Sequence, residues 1–220
     1  MLPLFQEEAK SVAMIRHALD IIKKIVNFLN PGQTPVITCD QPLFALAKLI
    51  QWTWPERFSK KHVVILFGGL HIEIAAFRTI GDWLENSGWT SVLCQADIAS
   101  SGTADSFLKA SHVKRTRHAH EVTACSLYIL MKRSYDRYIT EQGENDQLVF
   151  EEWREQREIE SPLFNFWSLT LKFEIAILVF IRSLREGIFQ LYKESISLLI
   201  PWFFVLDHPN YDVTWLCYMM

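Results

Sequence analysis

Cysteine is scarce in this chain. Cys39, Cys94, Cys125 and Cys217 are widely scattered and no C-x-x-C pair exists. That pattern speaks against a paired-cysteine metal or redox motif. It favours reduced thiols in an intracellular protein, nuclear or cytoplasmic. A zinc site would have to borrow His118-x-His120 and a distant cysteine. Net charge is also small, −3 with a pI near 6.2, so there is no bulk attraction to nucleic acid. Any such binding must come from a local patch. The start, "MLPLFQEEAK", lacks the basic and apolar regions of a secretory signal. The most apolar stretch, "FEIAILVFIRSLREGIFQLYKESISLLIPWFFVLD", is interrupted by Glu174, Arg182, Arg185, Glu186, Lys193 and Glu194. It falls short of the roughly 18 uncharged apolar residues of a membrane span and reads as a buried helix. No membrane partner is expected.

Catalytic signatures are missing too. There is no G-x-S-x-G, no H-E-x-x-H and no kinase set. Gly68-Gly69 is not part of a G-x-G-x-x-G or P-loop pattern, so a nucleotide site has little support.

What is present is apolar and aromatic. The chain has 220 residues, half of them apolar, with 15 Phe and 8 Trp. That allows one large domain or two small ones with a thick core, a partner surface, or both. Residues 11–29 carry Ile15, Leu19, Ile22, Val26 and Leu29 at three- and four-residue steps, the spacing of an amphipathic helix. "NPGQTP" stops it. "PVIT" is a short β-branched run. "QPLFALAKLIQWTW" has a helical stripe with Pro42 in its first turn, and "VVILF" is the clearest strand. A strand, a helix and a strand in this length match a right-handed βαβ crossover with parallel strands.

The remainder is mainly helical. Residues 90–108 hold a short strand or helix and a Gly/Ser turn. "ASHVKRTRHAHEVTACSLYILMKRSYDRYI" reads as one long helix and "QLVFEEWREQREIE" as an acidic one. Pro162 opens a further helix and Pro201 punctuates it. The expected fold class is α/β: a small sheet with a parallel βαβ unit plus a mostly helical C-terminal half. The divisions are an N-terminal helix at 1–30, an α/β unit at 31–95 and a helical region at 96–220.

Asp40 follows the first strand. In open α/β sheets ligands gather outside the carboxyl ends of strands, and an acid there can hold a divalent cation. Asp is equally a favoured N-cap. His71 follows Gly68-Gly69 after the second strand, so parallel strands bring Asp40 and His71 to one sheet edge. Glu73 either joins an acidic cluster or faces water. Residues 106–120 contain Lys109, Lys114, Arg115 and Arg117, three histidines and no acid, the one strong basic patch. It suits phosphate contact, or a solvated helix end. Glu174, between Phe173 and Ile175, needs a partner, with Arg182 or Arg185 the nearest candidates.

An Asp after a short strand, then "ALAKLIQWTWPERF", then an apolar strand ending near a His resembles the RNase H-like catalytic domain of cut-and-paste transposases, Mutator-like and hAT-like elements among them. This covers about residues 34–85. The segments "DQPLFALAK", "GGLHIE", "IGDWLENSGW", "GTADSFLKASHVKRTRHAH" and "PWFFVLDHPNY" resemble transposon-associated proteins of animal genomes. The resemblance implies Asp40 as a catalytic, metal-binding carboxylate for Mg²⁺ or Mn²⁺, with Asp207 or Glu186 as a later acid and His71 and Glu73 lining the site. It also implies DNA as a partner of the 109–118 patch. The strand that carries the first catalytic Asp in that family does not precede Asp40. The expectation is therefore a transposon-derived, catalytically incomplete fragment. The alternative is a non-enzymatic helical module that binds a protein partner.

Overall fold

The computed structural model describes residues 11–142 and 147–206. They are mostly helical with one small parallel sheet, in two compact units divided between Ile72 and Glu73.

The first unit contains α1 (Val12–Leu29), β1 (Val36–Cys39), α2 (Gln41–Thr53), α3 (Pro55–Phe58) and β2 (Val64–Phe67). Ser11 starts α1, its side chain accepting from the Met14 amide at 3.2 Å. β1 and β2 pair in parallel, Val36 with Val64 through Cys39 with Phe67. Both strands are four residues long. They are joined through α2 and α3, because parallel neighbours need a crossover. α1 packs on α2, and the core gathers Leu19, Phe44, Ala47, Ile50, Phe58, Ile65 and Phe67. Phe44 meets Phe67 edge-on at 5.6 Å. The buried Gln51 amide donates to the carbonyls of Phe58 and Val63, both at 2.9 Å. Those carbonyls lie in the α3–β2 connection and would otherwise be buried without a donor.

α4 (Gly69–Leu84) begins at the end of the first unit. α5 (Trp89–Gln95), α6 (Ser101–Leu108), α7 (Val113–Glu141), α8 (Phe150–Glu160), α9 (Pro162–Glu186) and α10 (Phe189–Val205) complete the second. Residues 90–108 therefore form two helices and no strand. α9 packs against α7, α8 and α10. It is capped by Ser161, whose hydroxyl accepts from the Phe164 amide, and it ends on left-handed Gly187 (φ 67°). By length and composition α9 could cross a membrane, but half of its apolar window is buried in the protein.

Pro201 lies inside α10 instead of ending it. Beyond the proline, Phe203 is fully buried and the Trp202 ring stacks on Phe173 at 4.4 Å. That burial holds the last turn despite the missing hydrogen bond. Gly81 marks a close backbone approach. A Cβ there would sit 2.0 Å from the Leu108 carbonyl oxygen, so α4 meets the end of α6 only because the side chain is hydrogen.

Candidate functional site

The parallel register sets the end of the sheet in the first unit. Cys39 pairs with Phe67, so Asp40 and Gly68 follow at the same edge, and the Gly68 amide donates to the Cys39 carbonyl at 2.7 Å. A Cβ on Gly68 would lie 3.1 Å from that carbonyl oxygen and 3.2 Å from Cδ2 of His71. Asp40 and His71 thus share an edge. The Asp40 carboxylate caps α2, accepting from the Leu43 amide at 3.1 Å, and Pro42 occupies the first turn. Burial, and the Asp40 charge beside it, push the Cys39 thiol up from its ordinary value. This keeps the thiol in its unreactive form.

The other expected site residues lie elsewhere. Glu73 belongs to the second unit and is buried, not water-facing. Arg117 donates to its Oε1 from Nε at 2.9 Å and from the guanidinium end at 2.6 Å. Asp207 lies outside the described residues. Glu186 pairs with Arg182 on the surface at 2.8 Å. Among the described residues no three His, Cys, Asp or Glu side chains come together as metal ligands. A two-ion centre needs several carboxylates, and among the described residues Asp40 is placed only as the cap of α2.

The basic stretch divides. Arg117 is tied to Glu73, while Lys109 ends α6 and Lys114 and Arg115 stand exposed in the first turn of α7. The α7 N-terminus has no side-chain cap and no acid in its first turn. Cations there oppose the helix dipole, which makes the α6–α7 junction electropositive.

Two features of the second unit were not foreseen. The first is a buried pair. Nδ1 of His120 and Oε1 of Glu174 are 2.7 Å apart, both side chains fully inaccessible. Glu174 is thus partnered by His120 on α7, and not by Arg182 or Arg185 further along its own helix. His120 is sandwiched between Phe77 and Trp89, each ring 4.9 Å away and nearly parallel. Among the described residues Nε2 of His120, Oε2 of Glu174 and the Thr116 hydroxyl have no hydrogen-bond partner. Burial pushes the Glu174 carboxyl above its ordinary 4.5, and His120 pulls the other way without cancelling it.

The second feature is a half-open apolar groove of about 520 Å³ between α5, α7 and α9. Trp89 is its floor, with the indole N–H donating to Thr123 at 2.9 Å and the other ring face on His120. Val92, Leu130 and Leu163 form the rim, exposed at 59%, 61% and 69%. Leu127, Met131 and Trp167 line the walls. Arg157 of α8 is the one charged residue among the described lining. A contiguous exposed apolar surface of this kind marks a binding site more often than an isolated exposed Leu does. The signal for it in the sequence was weak. Val122, Leu127, Leu130 and Met131 lie within a helix whose polar composition reads as surface, and the opposing wall belongs to a separate helix, beyond α8 in the chain.

Fold and surface together define a helical protein with a small parallel βαβ unit and an apolar groove. Residues 1–158 match the family described as Domain of unknown function (DUF8702), and the chain belongs to that family. The α5 and α7 walls of the groove fall within the matched residues, and the α9 wall follows them. No curated protein and no solved structure matches the chain.

Proposed function

We propose that this chain is a transposon-derived, non-catalytic module that recruits an apolar peptide segment into the groove of its second unit. The groove is the observation that carries this reading. Its volume of about 520 Å³ lies within the roughly 300–1,000 Å³ of binding sites, and its rim presents large side chains to solvent. The transposon origin rests on the segment resemblances and on the order β1, Asp40, α2, β2, His71. In this reading the small α/β unit is a reduced RNase H-like element. Asp40 serves there as a helix cap.

Selection of a phage-displayed random peptide library on the full chain tests this. The expected result is enrichment of peptides with apolar anchors at helical or alternate spacing, whose binding Leu130→Asp and Leu163→Asp abolish. Both positions are exposed, so the substitutions spare the core. Enrichment that ignores both substitutions sinks the reading.

A second reading is favoured by the electropositive α6–α7 junction, where Lys109, Lys114 and Arg115 are exposed: contact with nucleic-acid phosphates. Duplex DNA should then bind with a salt slope that Lys114→Ala with Arg115→Ala reduces by roughly two, one for each phosphate no longer neutralised. A slope unchanged by the pair removes it.

A further inference from the structure

The groove of the second unit carries its one charge at one end. Its direction follows from contacts between α7, α8 and α9. Glu174 of α9 meets His120 of α7 at 2.7 Å. Nearer the start of α9, Phe164 meets Trp153 at 5.5 Å, and Trp153 meets Tyr135 of α7 at 5.3 Å. The two helices therefore run antiparallel, and the start of α9 lies beside the Ser134 end of the α7 wall. The α8–α9 corner is there, with the Ser161 amide donating to the Arg157 carbonyl at 3.0 Å. Arg157 and Ser161 both line the groove at that corner. The opposite end is the α5 floor, fixed by the 2.9 Å bond from the Trp89 indole N–H to Thr123.

Between Thr123 and Ser134 α7 advances about 16 Å. An extended carbon chain advances about 1.2 Å per bond, so roughly thirteen carbons reach from the Trp89 floor to the Arg157 corner. The hydroxyls along the way are largely committed. Thr123 donates to the Ala119 carbonyl at 2.8 Å, Ser168 to Glu158 at 2.5 Å, and the Ser161 oxygen accepts from the Phe164 amide at 3.3 Å. The walls thus suit a chain without polar groups of its own, and the corner suits one anionic head. Arg157 is held by Glu160 at 3.0 Å in a pair whose side chains are 46% and 44% exposed. Such a pair is weak enough for another carboxylate to take the place of Glu160, and a guanidinium can bind it with two parallel hydrogen bonds. Glu158, the other acid near the lining, is already held by Lys172 at 2.9 Å and Arg154 at 3.5 Å.

We propose that the groove binds an unbranched long-chain fatty carboxylate, with the tail along α7 towards Trp89 and the head on Arg157. This goes beyond peptide recruitment and does not depend on it. The two ligands share one groove and exclude each other.

Isothermal titration calorimetry of the full chain with tetradecanoate below its micellar concentration tests this. The expected result is one site per chain. Decanoate should bind at least tenfold more weakly, since each buried methylene contributes roughly fourfold in affinity. Tetradecyltrimethylammonium, with the same tail and the opposite charge, should also bind at least tenfold more weakly. Arg157→Gln should erase the preference for the anion, Glu160→Gln should tighten tetradecanoate severalfold by freeing Arg157, and Leu130→Asp with Leu163→Asp should abolish binding. All these positions are at least partly exposed, and circular dichroism melts check that each variant folds. No tetradecanoate binding, equal binding of anion and cation, or affinity unmoved by Arg157→Gln overturns the proposal. Sedimentation with phosphatidylcholine vesicles in place of binding to free tetradecanoate overturns it too, in favour of a membrane surface. The peptide selection, run with and without tetradecanoate, separates the two readings of the groove. Tetradecanoate binding without enriched peptides supports the fatty carboxylate and removes recruitment. Enriched peptides without tetradecanoate binding do the reverse. Peptides that tetradecanoate fails to displace place the fatty carboxylate elsewhere and overturn this assignment.

Discussion

His120 and Glu174 are each other's only hydrogen-bonding partner among the described side chains, 2.7 Å apart and wholly removed from solvent. Helices α7 and α9 are thus joined by a polar contact inside an aromatic stack. With Glu174 protonated, its O–H donates to Nδ1. With Glu174 ionised, Nδ1–H donates to the carboxylate.

Removing one member should cost far more than removing both. His120→Phe keeps a ring between Phe77 and Trp89 but strands the Glu174 carboxyl, a loss of about 3 kcal/mol or more. Adding Glu174→Leu should recover most of it, because an apolar pair of similar shape carries no desolvation penalty. Urea denaturation of the two single variants and the double variant measures the coupling.

The pair also makes stability depend on pH. Burial raises the Glu174 pKa above 4.5, so the folded chain keeps a proton that the unfolded chain releases near that value. The folded state binds more protons, and its stability falls as pH rises from about 4.5 through the folded pKa. Below that window the contribution is fully present. Glu174→Gln, which can donate to Nδ1 but cannot ionise, should flatten this part of the profile. Thermal melts of both proteins from pH 4.5 toward neutrality check the sign.

Two glycines should respond in opposite directions. Gly81→Ala drives a Cβ to 2.0 Å from the Leu108 carbonyl oxygen and must separate α4 from α6, at about 1–3 kcal/mol or more. Gly102→Ala, inside α6 with nothing within 4 Å, should stabilise by about 0.5 kcal/mol. Melting temperatures of the two variants decide the matter.

Asp40 can be assigned by comparing two substitutions. Asp40→Ala should cost about 1 kcal/mol through removal of the α2 cap, and Asp40→Asn should cost little, since Asn caps equally well. A metal-binding role predicts something else: Mg²⁺ or Mn²⁺ raising the melting temperature of the unmodified protein and not of Asp40→Asn. The capping role predicts the same response in both.

The sequence disclosed the elements that depend on local pattern. The α2 start at Asp40 with Pro42, the parallel pair either side of it, the long α7 and the proline-opened α9 all follow from residues within one or two turns. Contacts between distant segments were hidden. Glu174 was plainly in need of a partner, yet nothing near it in sequence points to His120, two helices earlier in the chain. Glu73 could not be told from a solvent-facing acid without knowing that Arg117 comes beside it. The groove was hidden for the same reason: each wall alone is an ordinary amphipathic helix. Pro201 punctuates its helix without breaking it, and the burial of Phe203 that holds the turn is a contact the sequence does not display.

The β1–β2 ladder has a kinetic consequence. Val36 can find Val64 only after α2 and α3 have brought the strands together, since no turn links them directly. With so few residue pairs, the ladder gains little until that closure is complete. The amides of Ile65 and Leu66 should therefore acquire protection from exchange late in folding, after those of α2. The edge bearing Asp40 and His71 comes into being only in that final step.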